Sequence, residues 1–517
     1  MTDRAHVQNR GFFGTWIKAH PLQAVGRLLW VMLYLILNTA LAFIVIWGPL
    51  DASLNLALGL GAAIGLGTAV LWGRQQLALI YGDRALARRR RRPLLIAPLL
   101  ALILGSTAAV QLYTMGAIAP IARKPQAAFN ELWVLMDRHY AFFEHKNVDW
   151  DAVHDRYAPR VADAETETAY FRAVAGMLNE LPDGHTGLQS PNVLFDGLRL
   201  FGYAGEYEGQ AVVIATGPEA EQAGIEKGAL LLEIDGQSVD ERLETWAERL
   251  PPSSTPQHFR KRLFLHLMAT FDEKLDVTYE NPDGTQQAAT LIWDPALHQL
   301  PSEAPQPVVT SERLDSGVGV IRISSFDLSH GPKLVRDFDA ALDSMLDAPG
   351  IIIDVRNNGG GFSVLADLVA GRFFSEPFTY GKEVYRTRIP QHVWRTSMTY
   401  RVRPRGETYA GPVTVLANPF TFSSADTFVV AMADSGRAQI VGRPTSGASG
   451  NPISVRLPNG GRARFSTGDF LRSDGTSLEG VGTQPDLEVD WTVSDVREAR
   501  DPDVRVAEAY LLSTAGK

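Results

Sequence analysis

The sequence predicts a multidomain protein with four parts: a helical anchor of three transmembrane spans, a helical lead-in, a β-rich module and a layered α/β core. Three observations lead to this prediction. Uncharged apolar segments fill most of the first 120 residues, helical and then strand-like periodicity follows, and strands finally alternate with helices. The predicted boundaries are 1–120 for the anchor, 121–195 for the lead-in, 196–300 for the module and 301–517 for the core.

Composition limits the classes of function that fit. At 517 residues the chain is long enough for several domains with sizeable cores. Residues 1–93 contain eleven Lys/Arg and three Asp/Glu, a net charge of +8, so the remaining residues carry −17 and the total is −9. An acidic main body without a basic, aromatic-interleaved patch argues against a nucleic-acid partner. The chain has no cysteine, which excludes disulfides, thiolate metal ligands and a cysteine nucleophile.

The three apolar segments are Leu28–Leu50, Ala52–Trp72 and Leu94–Ala119. Each exceeds about 20 residues, the length that crosses a bilayer as a helix, and buried core helices are the alternative explanation. Basic residues precede the first segment, and the arginine run Arg88–Arg92 precedes the third, so both regions are predicted to be cytoplasmic. We therefore expect a multi-pass protein of a bacterial inner membrane, with the rest of the chain in the periplasm. A nucleic-acid patch is the alternative reading of the arginine run.

The lead-in and the module differ in periodicity. Residues 126–180 show the spacing of amphipathic helices, and residues 198–293 show short strands and turns. Within the latter, Gly224–Gly236 resembles the central stretch of a PDZ domain, where a turn feeds a strand that ends in an Asp-Gly hairpin. Leu200–Tyr203 would lie near where such domains receive a peptide end. A small structural sheet module is the alternative.

A proline-containing linker, Pro301–Pro307, leads into the core. Strands and helices alternate there, which predicts a layered α/β arrangement whose strand-end loops carry the functional site. The predicted strands are Val318–Ile323, Ile351–Val355 and Val413–Leu416, and the predicted helices are Lys333–Leu346, Ser363–Phe374 and Ala425–Ala433.

Four short segments, far apart in the chain, contain the groups that acyl-transfer chemistry needs. These groups are a histidine base, backbone N–H donors beside a glycine turn, a serine at a helix start and a carboxylate. The segments are Leu181–Thr186, Ile353–Gly361, Phe422–Asp426 and Glu479–Asp486. Together they predict a serine-hydrolase site.

Each segment also has a purely structural explanation. Ser423 and Asp426 have the spacing of a capping box, and Gly359–Gly361 fits a tight turn. No Gly-Lys-Ser/Thr follows the glycines, so a phosphate-binding loop is not supported. His185 is a lone loop histidine without the partner spacing of a metal site, and Glu479 fits a surface turn. The sequence therefore predicts neither a metal nor a cofactor.

The order and spacing of these segments resemble the carboxy-terminal processing proteases and tricorn-core peptidases, from about residue 126 to 512. The resemblance implies a crotonase-like α/β core. In that family the nucleophile lies three residues before an acidic residue at the start of its helix, which implies Ser423 as nucleophile and Asp426 as the supporting acid. It further implies the backbone N–H groups of Ser424 and Gly360 as oxyanion donors.

The resemblance favours the histidine-containing, tricorn-like branch. The other branch uses a lysine base, and here Ala448 stands at that position. The tricorn-like branch implies His185 as the base and Glu479 as the acid that orients it. Tricorn has a serine directly before its histidine, where this chain has Gly184. Asp183 or a water is then the alternative link to the base.

The resemblance implies a serine endopeptidase that acts on protein or peptide substrates, and the predicted spans make it membrane-integrated. A catalytically silent relative, binding peptides or other ligands through the PDZ-like module, is the first alternative. A hydrolase of non-peptide esters is the second. A histidine base with its ordinary pKa of about 6.5 predicts that activity falls below roughly neutral pH.

Overall fold

The structure is a computed structural model that describes residues 124–190, 195–298, 307–389 and 392–514. Among these, Ile453–Pro458 belongs to a separate compact unit, and everything below concerns the other unit.

The predicted membrane anchor is corrected. No helix within the four described ranges is long and apolar enough to cross a membrane. The longest described helix, Pro125–His139, has 15 residues, whereas a span needs about 20. The three apolar segments predicted as spans lie outside the described residues, as does the linker up to residue 306. The described fold is an α/β protein without a spanning helix among its described residues.

The lead-in consists of helices, as predicted. Helix α1 buries Phe129, Leu132 and Met136, which lie three or four residues apart. The side chains of Asp149 and Thr166 accept the hydrogen bonds that begin the third and fourth helices. The elements are α1 (Pro125–His139), α2 (Phe143–Lys146), α3 (Trp150–Ala162), α4 (Glu167–Asn179) and the short strand β1 (Gly187–Gln189).

The β-rich module follows. Its strands are β2 (Arg199–Leu200), β3 (Gly202–Tyr207), β4 (Gln210–Thr216), β5 (Leu230–Ile234), β6 (Gln237–Ser238), β7 (Ala269–Thr270), β8 (Lys274–Glu280) and β9 (Gln286–Ile292). Its helices are α5 (Pro218–Gln222), α6 (Val239–Ala247) and α7 (Pro256–Leu265). The main sheet is antiparallel in the order β3-β4-β5-β8-β9, with β3 at one edge. Asp235 and Gly236 both have positive φ between β5 and β6, which confirms the Asp-Gly hairpin.

The core is built on a six-stranded sheet. Its order is β10 (Val309–Arg313), β11 (Gly319–Ile323), β12 (Ile351–Asp354), β15 (Val413–Ala417), β16 (Gln439–Gly442) and β20 (Leu487–Glu488). Strand β10 pairs antiparallel and the others pair parallel. The accompanying helices are α8 (Gly331–Asp343), α9 (Ser363–Ala370), α10 (Ser424–Asp434), α11 (Val493–Arg497) and α12 (Pro502–Thr514).

The predicted core elements are confirmed, with shifts at their ends. The prediction extended α9 to Phe374, but the helix ends at Ala370. A Cβ on Gly371 would lie 2.5 Å from the Arg403 carbonyl oxygen, so the neighbouring backbone packs directly against this glycine. The chain then turns and buries Phe373 and Phe374 in the core.

An antiparallel sheet was not predicted. Its order is β14 (His392–Val402), β13 (Phe378–Ile389) and β19 (Gly468–Arg472). The remaining strands are β17 (Pro452–Arg456), most of which belongs to the separate unit, and β18 (Arg462–Ser466), which pairs with β1. This last pairing brings the end of the lead-in to the core.

The parallel strands determine where the site lies. Because β12, β15 and β16 run in the same direction, their carboxyl ends meet at one edge of the sheet. The glycine turn follows β12, the serine segment follows β15, and the loop Thr445–Ser449 follows β16.

Candidate active site

Ser423 has a strained backbone conformation at the start of a helix. It lies between β15 and α10 as the residue that caps the helix. Its φ of 57° and ψ of −122° are rare for a residue with a side chain, and such conformations cost about 1–3 kcal/mol. The Ser423 N–H donates to the Ala448 carbonyl at 3.1 Å. Its side chain makes no capping hydrogen bond, so the hydroxyl is left for another use.

Asp426 does not form a capping box with Ser423, so that explanation is wrong. The buried Asp426 carboxylate instead accepts from Thr445 Oγ1 at 2.6 Å and from the Gly447 N–H at 2.8 Å. Burial raises the pKa of Asp426 to about 6, although these donors act to lower it. Asp426 therefore ties the serine helix to the loop that contains Ala448.

The glycine turn packs directly against the serine. Gly360 has a φ of +83°, and a Cβ there would lie 2.7 Å from Ser423 Cβ and 2.8 Å from the Ser424 nitrogen. The Gly360 N–H donates to Asn358 Oδ1 at 2.9 Å. That N–H is occupied here, which departs from the predicted role of Gly360 as an oxyanion donor. The Ser424 N–H lies in the first turn of α10, where a helix offers no intrahelical acceptor.

We expect Gly360→Ala to lower kcat/KM by about 100-fold or more, which is the cost of displacing one oxyanion donor. The new methyl group would lie 2.5 Å from the Phe422 carbonyl oxygen, and backbone atoms cannot move aside as a flexible side chain can. Gly359→Ala is the matched control, because a Cβ at Gly359 meets nothing within 4 Å. Kinetics and thermal unfolding of both variants test this. Equal activity of the two would show that the close packing at Gly360 is irrelevant.

His185 is buried in the loop between α4 and β1. Its backbone N–H donates to Asp183 Oδ1 at 2.9 Å, and Thr186 Oγ1 donates to Asp183 Oδ2 at 2.5 Å, so Asp183 holds the histidine loop. The imidazole ring lies 4.5 Å from the ring of Phe422, the residue before the serine. Neither ring nitrogen has a hydrogen-bond partner among the residues that the structure describes.

The burial of His185 changes its titration. Burial, and to a smaller extent the positive charge of Arg464, lowers the pKa of His185 to about 3, while the nearby Ser449 backbone partly opposes this. The imidazole is therefore neutral throughout the usual pH range. The ordinary pKa of about 6.5, on which the expected pH dependence is based, therefore does not apply to His185.

Glu479 is buried as well. Its Oε1 accepts from Lys146 Nζ at 3.0 Å, and its Oε2 accepts from the Ser449 N–H at 3.1 Å. Burial and then the Asp183 carboxylate raise the pKa of Glu479 to about 8, against the lowering effect of Lys146. Glu479 makes no hydrogen bond to His185. The connection between them passes through Ser449, whose N–H binds the carboxylate and whose backbone lies near the imidazole.

The structure brings the four predicted segments together, but it does not join nucleophile and base by a hydrogen bond. Asp183 holds the loop of His185, and Asp426 holds the loop beside Ser423. The sequence did not indicate Lys146, and it placed Phe422 in the serine segment without assigning a role to its ring. Within the described ranges, no cluster of three or more His, Asp or Glu side chains is suited to a metal ion.

Two family models match this chain. Residues 317–489 match the model described as peptidase family S41, and residues 121–179 match the tricorn protease C1 domain. The first covers most of the core, including the glycine turn, the serine and the acid, and the second covers most of the helical lead-in.

The individual relatives are similar to this chain either over a short stretch or at low sequence identity. A protein of Chlamydia trachomatis is 38% identical over 92 residues, which span 17% of this chain and only 15% of that relative. A chloroplastic carboxyl-terminal-processing peptidase 3 of Arabidopsis thaliana is 24% identical over 407 residues, 74% of this chain and 73% of the relative. The crystal structure of mature CPAF aligns with a TM-score of 0.60 at 17% identity, covering 76% of this chain and 96% of that one. This last similarity concerns the fold alone.

Proposed function

From the match of residues 317–489 to peptidase family S41, we propose that this chain is a serine-type peptidase that cleaves peptide bonds through an acyl-enzyme on Ser423, with His185 as base. The observation that carries the proposal is the position of Ser423. Its backbone is strained, its hydroxyl makes no capping hydrogen bond, and it packs against Gly360. A nucleophile beside an oxyanion hole requires these features. Protein or peptide chains are the substrates that the family acts on.

The proposed reaction begins with proton transfer from the Ser423 hydroxyl to a neutral nitrogen of His185. The serine oxygen attacks the peptide carbonyl, and the resulting oxyanion accepts from the Ser424 N–H and from Gly360 once Asn358 releases it. His185 gives its proton to the leaving amine, and the acyl-enzyme forms. Water, deprotonated by His185, then attacks the ester carbonyl, and His185 returns that proton to Ser423 Oγ as the carboxylic acid product leaves. A side-chain rotation that joins Ser423 Oγ to His185 must precede the first step.

The proposed acid has an electrostatic role. A buried imidazole with a pKa of about 3 is a weak base, because the apolar surroundings disfavour its charged form. The ionised Glu479 carboxylate offsets this when the imidazolium forms. Ser449 transmits the effect, since it contacts both groups.

A cavity of about 940 Å³ between the module and the core strand ends offers room for a substrate chain. It is lined by Asn357, Asn418 and Phe420 of the core strand ends and by Tyr207 and Lys261 of the module. Phe420 lies three residues before Ser423. Ser423 itself does not line the cavity, so we propose that a bound peptide extends from the cavity toward the nucleophile.

We further propose that the module is PDZ-like. The Asp-Gly hairpin and the free edge of β3 beside α7 support this. Glu206 of β3 accepts two hydrogen bonds of 2.7 Å from Arg260 of α7, so the groove between them is bridged in this structure. The domain boundaries and the periplasmic location remain predictions.

The pH dependence tests the proposed roles. Above pH 5 we expect reaction with a fluorophosphonate, and hydrolysis of a peptide, to increase with a midpoint near pH 8 as Glu479 ionises. The direction follows from the sign of the shift: a carboxyl group with a raised pKa is protonated below that pKa and ionised above it. The measurement uses the full chain between pH 5 and 10. A midpoint near 6.5 would instead indicate an accessible histidine.

The same experiment separates the alternatives. A catalytically silent binder would not react with the fluorophosphonate at any pH. An ester hydrolase would react with it and cleave ester substrates but not peptides.

A further inference from the structure

A serine of the module reaches the loop that carries the base. Ser254 lies in the segment that leads into α7 and is buried. Its Oγ accepts a hydrogen bond of 3.0 Å from the Gly184 N–H, and Gly184 immediately precedes His185. A Cβ on Gly184 would lie 3.4 Å from this oxygen and 3.0 Å from the Phe422 ring. The absent side chain thus leaves space that the Ser254 hydroxyl and Phe422 border.

Ser254 also lies beside the segment that carries the acid. A serine hydroxyl has one proton to donate, and accepting from Gly184 leaves that proton available. Burial raises the pKa of the Glu479 carboxyl overall, although the Ser254 side chain acts to lower that pKa. The Ser254 carbonyl oxygen lies 3.6 Å from where a Cβ on Gly480 would be. The serine therefore lies between the base loop and the acid segment.

The neighbouring residue fixes this position. Thr255 is buried, and its Oγ1 donates to the Ser446 carbonyl at 2.9 Å. Its methyl group lies 2.8 Å from where a Cβ on Gly447 would be. Because Thr255 is held on the loop that contains Ser449, Ser254 has little freedom to move away from Glu479.

We propose that Ser254 is a positioning residue that links the backbone before His185 to the Glu479 carboxylate. Gly184 has no side chain with which to reach Glu479, and Glu479 makes no hydrogen bond to the imidazole. The hydroxyl of Ser254 supplies the missing connection, and it comes from the module rather than from the core. A hydrogen bond from this hydroxyl to the carboxylate would favour the ionised form of Glu479, which the proposed reaction requires. The inference thus rests on the proposed function.

The test compares Ser254→Ala, Ser254→Thr and Ser253→Ala with the wild type, all as full chains. We expect Ser254→Ala to lower kcat about ten- to a hundredfold at pH 8, with KM nearly unchanged. The reason is that the variant loses the stabilisation that a hydrogen bond gives to a charged group. The midpoint of the pH profile should also move upward by about one unit, because the carboxylate loses a donor. Ser254→Thr keeps the hydroxyl and should restore both values. Ser253→Ala is the matched control, since Ser253 Oγ accepts from Arg262 at 2.9 Å and belongs to the module alone.

The midpoint of the pH profile distinguishes a positioning role of Ser254 from a purely structural one. A lower kcat with an unchanged midpoint, or a Ser254→Thr variant that behaves like Ser254→Ala, would overturn the inference. If Ser254→Ala fails to fold, Ser254→Thr and Ser254→Val make the same comparison at equal side-chain size. Equal midpoints for that pair would also overturn it. A wild type that neither reacts nor hydrolyses refutes the proposed function, whereas an active wild type with these results refutes the role of Ser254 alone.

Discussion

Ser423→Ala should abolish covalent labelling by a fluorophosphonate and lower kcat by about a million-fold, because no other group can form the acyl-enzyme. The substitution removes one oxygen atom that makes no capping hydrogen bond. We therefore expect little change in the free energy of unfolding. The backbone strain at this position should remain, because alanine also has a Cβ. The measurements are labelling, peptide hydrolysis and thermal unfolding of the full chain.

The neighbouring serine provides a matched control. Ser424 is buried, and its Oγ also has no hydrogen-bond partner in the part of the chain described. Ser424→Ala leaves the backbone N–H in place, so we expect less than about a tenfold loss of kcat. If labelling survived in Ser423→Ala but were lost in Ser424→Ala, the nucleophile would be Ser424 and the assignment of Ser423 would be wrong.

Much of the core was predictable because its signals are local. Buried apolar runs such as Ile351–Asp354 gave the parallel strands, and glycine and serine motifs followed directly after them. Parallel strands then place those motifs at one sheet edge without any further information. The Asp-Gly hairpin was predictable for a similar reason, since its two residues favour positive φ.

The interactions that complete the site were not predictable. Lys146 and Glu479 are 333 residues apart, and Ser254 and Gly184 are 70 apart, so no local pattern connects them. The titration of His185 was also misjudged, because the sequence does not indicate that its ring is buried. In the same way, helix propensity and spacing suggested a capping box at Ser423, whereas tertiary contacts drew Asp426 to another loop.

His185→Ala should lower kcat by about 10⁴- to 10⁶-fold and abolish the rise of labelling toward pH 8. Without the imidazole, nothing removes the proton from Ser423, and ionisation of Glu479 no longer has a base to assist. The variant also loses a buried ring that packs against Phe422 at 4.5 Å, so its stability must be measured beside its activity. Labelling rates across pH 5–10 and thermal unfolding separate the two effects.

His258 provides the matched control for His185→Ala. It lies 5.5 Å from the ring of Phe422, is 7% exposed against 3% for His185, and burial lowers its pKa to about 4. His258→Ala therefore creates a similar cavity beside the same phenylalanine and should cost a similar amount of stability. We expect it to retain labelling with the wild-type pH profile. If His258→Ala were inactive and His185→Ala active at equal stability, the base would come from α7 of the module, and the assignment of His185 would be wrong.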